Sequence, residues 1–193
     1  MRPCSNSDPS PQATVQCKII ISGGLGAGKT TFVSTISDIP PLITEERFTT
    51  ASEGTDDLAG LERKVTTTVA MDFGLLAWPE HNMELYLFGT PGQHRFWFMW
   101  DELIRGAAGA VVLADTRRLE DCFGPVEFFL RRGLPFILAV NVFDDAYRYE
   151  PGELRDALRL DPGVPILFCD ARERHSVTGV LGGVVAHVLK LLT

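Results

Sequence analysis

The sequence is poor in cysteine and has no long apolar run. Four cysteines are scattered over 193 residues and include no Cys-x-x-Cys pair, a pattern that is typical of reduced thiols in a cytosol. No apolar stretch reaches the length of a membrane-spanning helix, and the first residues show no apolar core of a signal peptide. We therefore expect a cytoplasmic chain without direct membrane insertion, although a partner could recruit it to a membrane surface.

The sequence also lacks an excess of positive charge. Its 18 lysines and arginines are outnumbered by 25 acidic residues, which gives a net charge of −7 at pH 7. This charge argues against nucleic acid as a partner and opposes unaided adsorption to an anionic membrane. The length fits a single domain, assigned here to residues 15–193, whereas the breaker-rich residues 1–14 predict a disordered tail.

Strand and helix signals alternate along most of the chain. The predicted strands are 17–22, 66–77, 83–88, 110–114, 136–140 and 165–169, and the predicted helices are 29–37, 93–105, 119–132, 151–160 and 177–189. Residues 38–64 are polar and rich in proline, threonine and acidic residues, which predicts a long connection. The alternation predicts an α/β fold with a mostly parallel six-stranded sheet, one antiparallel edge strand and helices on both faces.

The most informative segment is the glycine-rich octet at residues 23–30. It reads Gly-Gly-Leu-Gly-Ala-Gly-Lys-Thr and fits the pattern Gly-x-x-x-x-Gly-Lys-[Ser/Thr] without a mismatch, between a predicted strand and a predicted helix. In that context, backbone N–H groups and the helix dipole favour a polyphosphate. Lys29 can reach the β and γ phosphates, and the Thr30 hydroxyl can ligate Mg²⁺. The nucleotide-binding residues predicted in this segment and directly after it are Gly23, Leu25, Gly26, Ala27, Gly28, Lys29, Thr30 and Thr31.

Two further segments are placed to sense the γ phosphate. Thr68 opens the strand after the long connection, where it could ligate Mg²⁺ and order a switch region of about residues 38–68 in the triphosphate state. Because two threonines precede it, the choice of Thr68 depends on the register, and a plain run of strand-forming residues is the alternative. Gly92 can present its N–H to the γ phosphate, and Gln93 can orient an attacking water.

Two segments that follow later strands point to a guanine base. Asp144 can accept hydrogen bonds from the N1–H and the exocyclic amine of guanine, a donor pair that adenine lacks. Asn141 can tie this loop to the phosphate loop, and both residues follow a buried strand, where ligands bind in open α/β sheets. The spacing Asn-x-x-Asp alone is also typical of a turn. Ala171 and Arg172 complete the predicted base site, in which the Ala171 N–H can contact O6 of guanine.

This ordered set of motifs resembles the small Ras-like GTPase superfamily over about residues 17–192. More narrowly, the chain is similar to the GTPase-like proteins of actinobacterial conservon operons. That similarity lies in Thr-Thr-Thr-Val-Ala-Met-Asp-Phe-Gly (66–74), Leu-Phe-Gly-Thr-Pro-Gly-Gln-His-Arg-Phe-Trp-Phe-Met-Trp (87–100) and Ala-Asp-Thr-Arg-Arg-Leu (114–119). The resemblance implies a P-loop NTPase fold, GTP and GDP as ligands with Mg²⁺, and a signalling role. It also implies two partners, a histidine-kinase-like sensor and a roadblock-type regulator.

Three residues depart from the Ras-like pattern. Gly89 stands where a carboxylate usually holds a water of the Mg²⁺ shell, which predicts a weaker and less rigid ion site. Leu25 replaces a glycine that is frequent in the phosphate loop, and its bulk could crowd Gln93 or a partner's arginine, which predicts slow turnover. Val142 replaces the lysine of the base-recognition motif, which predicts a lower nucleotide affinity.

The segment after the predicted γ-phosphate contact is rich in aromatic residues. The five successive residues 96–100 would point all round a helix, so we expect some to pack inside and others to face a partner. His94 is most simply a surface histidine and Arg95 a solvated arginine, with a second catalytic role and an in-cis arginine finger as the alternatives. The acidic residues of the long connection could be solvated or could dock a basic partner.

The leading hypothesis is a guanine-nucleotide-binding signalling switch with slow Mg²⁺-dependent hydrolysis of GTP to GDP and phosphate. In this hypothesis Lys29 and Gln93 are catalytic, Thr30 and Thr68 ligate the metal, and Asp144 reads the base. The alternative is a catalytically weak or inactive nucleotide-binding scaffold that acts through the aromatic segment. A P-loop kinase is disfavoured, because no acceptor-binding motif or arginine-rich lid follows the phosphate loop.

Overall fold

The computed structural model describes residues 13–40, 42–50, 65–92 and 94–193, and within 42–50, 65–70 and 94–95 it describes the backbone only. The strands are β1 (Val15–Gly23), β2 (Leu42–Thr50), β3 (Val65–Trp78), β4 (Met83–Gly89), β5 (Ala107–Asp115), β6 (Phe136–Asn141) and β7 (Ile166–Cys169). The α-helices are α1 (Lys29–Ile36), α2 (Trp100–Leu103), α3 (Phe123–Arg132), α4 (Pro151–Leu158) and α5 (Arg174–Leu192). Short 3₁₀ segments span Pro79–His81, His94–Met99 and Thr116–Cys122.

One mixed sheet joins all seven strands of the described residues, in the order β2-β3-β4-β1-β5-β6-β7. The five strands from β4 to β7 in that order are parallel, and β3 runs antiparallel to both β4 and β2. The six strands predicted from the sequence are all present and mostly parallel, so the predicted fold class is confirmed. The structure adds β2 on the outer side of β3, so the antiparallel strand β3 has a neighbour on each side.

Alternation along the central strand β1 separates the two faces of the sheet. Ile19 and Ile21 pack into the cluster that contains α1 and α5, whereas Ile20 packs into the cluster that contains α3 and α4. Each of the three side chains is at most 1% exposed, and burying one such side chain contributes about 1.5–3 kcal/mol. Burial on both faces explains the apolar run of β1 at these positions, and the same holds for β5 and β6, which are apolar up to their last residues.

The region between residues 38 and 64 is not a plain connection. The prediction is wrong for Leu42–Thr50, because this segment forms β2 and pairs with β3. Three successive charged residues at 45–47 hide the strand signal, although the threonines and the phenylalanine nearby favour extended backbone. An outer strand of a sheet tolerates such charges, because they discourage further pairing.

Two of the predicted helices begin with tighter turns. His94–Met99 is a 3₁₀ segment that leads into α2, and Thr116–Cys122 is a 3₁₀ segment that leads into α3. The backbone of Arg118 leaves helical geometry inside the second segment, with φ −145° and ψ 58°. Pro125 lies in the first turn of α3, where a missing N–H costs no intrahelical hydrogen bond.

The last helix, α5, is long and apolar enough to cross a membrane when judged by length and composition. The expectation that no segment would reach this threshold is therefore wrong. One face of this helix nevertheless packs against the sheet, since Val177, Val180, Leu181 and Val184 are buried in the core. The end of the helix is exposed, with Leu189 at 55%, so α5 is a surface helix that buries one apolar face.

Candidate nucleotide-binding site

The phosphate loop connects the carboxyl end of β1 to α1. Gly26 and Gly28 adopt positive φ angles of 77° and 100°. Gly28 directly precedes Lys29, the first residue of α1, and its carbonyl oxygen accepts a 2.8 Å hydrogen bond from the Phe32 N–H. Because the N–H groups of a first helical turn have no intrahelical acceptor, this loop is suited to an anion.

Two glycines of the loop lie too close to neighbouring strands to carry a side chain. A Cβ atom at Gly28 would lie 2.5 Å from Nδ2 of Asn141. A Cβ atom at Gly23 would lie 2.4 Å from the carbonyl oxygen of Leu113. Packing against β5 and β6 therefore requires glycine at both ends of the motif, in addition to the close approach of a phosphate.

Lys29 is buried within the loop, with 9% of its side chain exposed. Its ammonium group donates to the carbonyl oxygens of Gly23 over 3.0 Å and Gly24 over 2.7 Å. Burial lowers the pKa of Lys29 to about 8, and the negative charges of Asp72 and Asp121 oppose this shift. A polyphosphate bound to the loop would add negative charge and raise this pKa.

The Thr30 hydroxyl donates a hydrogen bond to Oδ2 of Asp72 over 2.8 Å. Asp72 precedes Phe73 on β3, and Phe73 pairs with Phe88 of β4. A Cβ atom at Gly89, the next residue of β4, would lie 3.0 Å from both Cβ and Oδ2 of Asp72. Asp72 was not predicted from the sequence, where the available signal was a single carboxylate within a strand whose other residues are uncharged.

Thr30 and Asp72 offer a hydroxyl and a carboxylate oxygen side by side. These are hard oxygen donors, and Mg²⁺ is commonly held by one or two carboxylates together with substrate phosphates. Among the side chains that the structure describes, no group of three or more His, Cys, Asp or Glu residues is arranged to hold a metal ion. Thr30 and Asp72 would supply two oxygen ligands of a Mg²⁺ ion, and a bound polyphosphate would supply others.

The residues predicted to sense the γ phosphate are described only in part. Gln93 lies outside the described residues, and for Thr68 the structure gives only the backbone, within β3. Gly92 approaches the phosphate loop, since a Cβ atom there would lie 2.9 Å from Nζ of Lys29 and 3.1 Å from the amide nitrogen of Leu25. The roles of Thr68 and Gln93 stay predictions.

Asn141 joins the phosphate loop to the loops at the ends of β6 and β7. Its Nδ2 donates to the carbonyl oxygen of Ala27 over 3.0 Å, and its Oδ1 accepts a 3.0 Å hydrogen bond from the Ala171 N–H. The side chain is 5% exposed. Next to it, the Val142 N–H donates to the Cys169 carbonyl oxygen over 2.8 Å. One buried amide thus brings three predicted site segments together.

Asp144 lies at the surface of this site, with 89% of its side chain exposed. The nearest cation is Arg172, whose guanidinium lies 3.6 Å from Oδ1 of Asp144. Arg172 is closer to Asp170, at 2.7 Å, and its hydrogen bonds hold the pKa of Asp170 below the usual value. The Asp144 carboxylate is therefore accessible to a ligand.

Arg117 supports the loop that carries Asp144. Its guanidinium carbon lies 3.9 Å from the ring centre of Phe143, and its nitrogen atoms lie 2.8 Å from Asp115 and 2.9 Å from Asp145. Hydrogen bonds from Arg117 hold the pKa of the buried Asp115 below its usual value. The sequence assigned no role to Arg117, because this contact depends on the approach of β5 to the loop after β6.

A cavity of about 330 Å³ lies beside the phosphate loop. Its lining includes Gly24, Leu25, Trp97, Trp100, Arg118 and Asp121. Arg118 extends over the loop, and its guanidinium donates a hydrogen bond to the Leu25 carbonyl oxygen. The aromatic segment is divided between interior and surface, since Trp100 is 1% exposed and Phe98 is 60% exposed.

Residues 21–191 match the model of a protein family that is described as a conserved hypothetical ATP binding protein. No curated protein matches the chain. The match covers the phosphate loop, the segments around Gly92 and Asn141, and the last strand. It thus includes every described element of the candidate site.

Solved structures with a similar fold include parts of the FeoB iron transporter of T. maritima. Its G domain is 18% identical, with a TM-score of 0.58, 92% coverage of this chain and 99% coverage of that domain. The cytosolic domain in its apo form is 17% identical, with a TM-score of 0.64 and coverages of 90% and 64%. A GDP form of that domain is 17% identical, with a TM-score of 0.63 and coverages of 90% and 63%. The chain therefore belongs to the family of conserved hypothetical ATP-binding proteins, and its fold is that of a P-loop GTPase G domain.

Proposed function

We propose that this protein is a guanine-nucleotide-binding signalling switch that hydrolyses GTP slowly, with Mg²⁺, to GDP and phosphate. The observation that supports it best is the buried Asn141 side chain, which bonds to Ala27 of the phosphate loop and to Ala171 after β7. Because one amide holds both loops, a phosphate subsite and a base subsite keep a fixed separation. Such an arrangement suits a nucleotide better than a free phosphate.

The choice of guanine rests on the Asp144 carboxylate. This carboxylate is accessible and can accept from two adjacent donors, which guanine presents at N1 and at its exocyclic amine. Adenine presents an acceptor at N1, so the same carboxylate would be left facing a lone pair. The GDP form of the similar FeoB cytosolic domain supports a guanine nucleotide, whereas the family description names ATP. The identity of the base is therefore the first quantity to measure.

In the proposed reaction a water oxygen forms a bond to the γ phosphorus, the bond from that phosphorus to the bridging oxygen of GDP breaks, and a proton of the water passes to the released phosphate. Lys29 neutralises negative charge on the phosphates, and Gln93 orients the water. Thr30 and Thr68 would hold Mg²⁺, which would neutralise charge on the β and γ phosphates when bound. Leu25, with 58% of its side chain exposed at the loop, would hinder a water or a partner's arginine and so keep turnover slow.

The partners that we propose are a roadblock-type regulator and a histidine-kinase-like sensor, in line with the resemblance to conservon GTPase-like proteins. The contact surface that we propose lies in the aromatic segment 96–100, which begins four residues after Gly92. Phe98 of this segment is exposed, whereas the nearby Trp100 is buried. Loss of the γ phosphate near Gly92 would therefore move the exposed Phe98 side chain, while the buried Trp100 side chain stays in place.

Nucleotide titration and single-turnover hydrolysis test this function together. We expect the full chain with Mg²⁺ to bind GTP and GDP and to convert GTP to GDP at a rate well below one turnover per second. Lys29→Ala should abolish binding, because the phosphate charge would then lack its closest cation. Undiminished GTP binding by Lys29→Ala would show that the site is assigned wrongly.

A catalytically inactive scaffold is the second candidate. The observation that favours it is the ammonium group of Lys29, which already bonds to the carbonyl oxygens of Gly23 and Gly24. A scaffold of this kind would show equal affinity for GTP and GDP and no turnover. The switch requires a difference between the two nucleotides, so the same titrations separate the two candidates.

A further inference from the structure

Asp72 and Gly89 occupy facing positions on neighbouring strands next to the phosphate loop. In the Ras-like pattern the position of Gly89 carries a carboxylate, which is missing here. The space beside Gly89 is filled by Asp72, because a Cβ atom at Gly89 would lie 3.0 Å from Cβ and Oδ2 of Asp72. A carboxylate therefore lies beside Gly89, but it belongs to Asp72 of β3 and not to a residue of β4.

We infer that Asp72 is the carboxylate of the Mg²⁺ site and that it acts with Thr30. This inference rests on the proposed function, because Mg²⁺ would be held together with nucleotide phosphates. The Thr30 hydroxyl and Oδ2 of Asp72 are 2.8 Å apart, so one ion, or one water bound to it, can contact both groups. Gly89 suits this arrangement, since a side chain there would displace Asp72 by a few tenths of an ångström and an acidic one would place a second negative charge against it.

The charge of Asp72 also reaches the phosphate-binding lysine. Burial lowers the pKa of Lys29, and nearby negative charges raise it. Among these charges, Asp72 has the largest effect. Asp72 thus acts on both residues of the motif, through its charge on Lys29 and through a hydrogen bond from Thr30. A bound divalent cation would offset the repulsion between the Asp72 carboxylate and a polyphosphate, which makes nucleotide binding dependent on the ion. Gly89 alone predicted a weak ion site. With Asp72 as the carboxylate, we no longer expect the ion site to be weak.

The decisive experiment exchanges the two residues between the strands. The variants are Asp72→Asn, Gly89→Asp and the double variant Asp72→Gly/Gly89→Asp, which has the composition of the natural chain. For each, two quantities are measured on the full chain: direct Mn²⁺ binding by electron paramagnetic resonance with excess GDP, and GDP affinity with Mg²⁺ and with a chelator. Glu84→Gln is the matched control, because Glu84 lies on β4 at the end distant from Gly89.

We expect Asp72→Asn to weaken metal binding by about 10–100-fold and to remove most of the gain in GDP affinity that Mg²⁺ gives. The GDP affinity in the chelator should not fall, because asparagine keeps a hydrogen-bond acceptor for Thr30. Gly89→Asp alone should impair folding or metal binding, because its side chain would crowd Asp72 and repel its negative charge. The double variant should recover metal binding, and Glu84→Gln should match the natural chain.

Unchanged metal binding in Asp72→Asn, within about twofold, would overturn the inference. Equal loss of GDP affinity with and without Mg²⁺ would also overturn it, since that result would show a purely structural role for the hydrogen bond. Both outcomes presuppose a natural chain that binds GDP. A natural chain that binds no nucleotide under either condition would instead contradict the proposed function.

Discussion

The side-chain amide of Asn141 donates a 3.0 Å hydrogen bond to the carbonyl oxygen of Ala27, and this contact ties the end of β6 to the phosphate loop. The same side chain accepts from the Ala171 N–H, so the two ends of the proposed nucleotide site share one support. The fold alone does not create this link. It depends on an amide at position 141, which can donate and accept at once.

Asn141→Ala should destabilise the protein and weaken nucleotide binding together. The substitution leaves the buried Ala171 N–H without a partner, which costs about 1–3 kcal/mol. Urea unfolding measures the stability, and GDP titration measures the affinity. Thr178→Ala is a suitable control, because it removes a side-chain hydrogen bond to Arg174 on the exposed side of α5. A stability of Asn141→Ala equal to that of the control would argue against the bridging role.

Asp144→Asn should change the preferred base from guanine to xanthine without changing the free energy of unfolding. An asparagine amide can donate to the 2-oxo group of xanthine but cannot accept from both donors of guanine. We expect GTP affinity to fall by about 10–100-fold and xanthosine triphosphate to become the better ligand. Competition titrations give both values. Asp145→Asn is the matched control, since Asp145 is also exposed, at 74%, but pairs with Arg117. If both variants retain the GTP affinity of the natural chain, Asp144 does not read the base.

The pKa of Lys29 gives nucleotide binding a predictable pH dependence. In the free protein burial lowers this pKa to about 8, so the ammonium loses its proton as the pH rises through that value. Bound phosphates would raise the pKa, which means that binding takes up a proton. Nucleotide affinity should therefore be nearly constant at lower pH and should fall above about pH 8, by up to about tenfold per pH unit.

Calorimetry in buffers of different ionisation enthalpy measures that proton uptake directly. Lys29→Arg serves as the control, because the guanidinium keeps its charge over this range. Its affinity is expected to be lower, but the decline between about pH 8 and about pH 9 should be much smaller than in the natural chain. The same steep decline in Lys29→Arg would assign the titration to another group.

Gly28→Ala and Gly179→Ala should have opposite effects on stability. Gly28 has a φ of +100°, and an added Cβ would lie 2.5 Å from Asn141 Nδ2, so alanine should destabilise by about 1–3 kcal/mol. Gly179 lies within α5, where an added Cβ meets no atom within 4 Å. Alanine at that position should stabilise by about 0.5–1 kcal/mol. Thermal unfolding of the two variants checks both signs, and a stabilising Gly28→Ala would contradict the packing described for the loop.

Much of the fold follows from patterns that are local in the sequence. The octet at 23–30 lies between an apolar strand and a helix, and the apolar runs at 110–114 and 136–140 occur as strands with both faces buried. The strand β2 was missed, because a charged edge strand has no continuous apolar face. Its identity depends on pairing with β3, which no local pattern encodes.

The site was less predictable where its contacts join distant strands. Lys29 and Thr30 are recognisable because a phosphate loop uses fixed spacings. Asp72 was not, because its relation to Gly89 depends on the register between β3 and β4. Arg117 was missed for the same reason, since its contact with Phe143 joins segments that follow different strands.

The affinity of the full chain for GTP relative to ATP decides whether this protein is a guanine-nucleotide-binding protein. Displacement of a fluorescent GDP analogue by GTP, GDP and ATP, in the presence of Mg²⁺, gives the three values in one assay. We expect GTP and GDP to displace the analogue at concentrations at least about 100-fold lower than ATP does. Displacement by ATP at concentrations equal to or lower than those of GTP would show that the site does not select guanine.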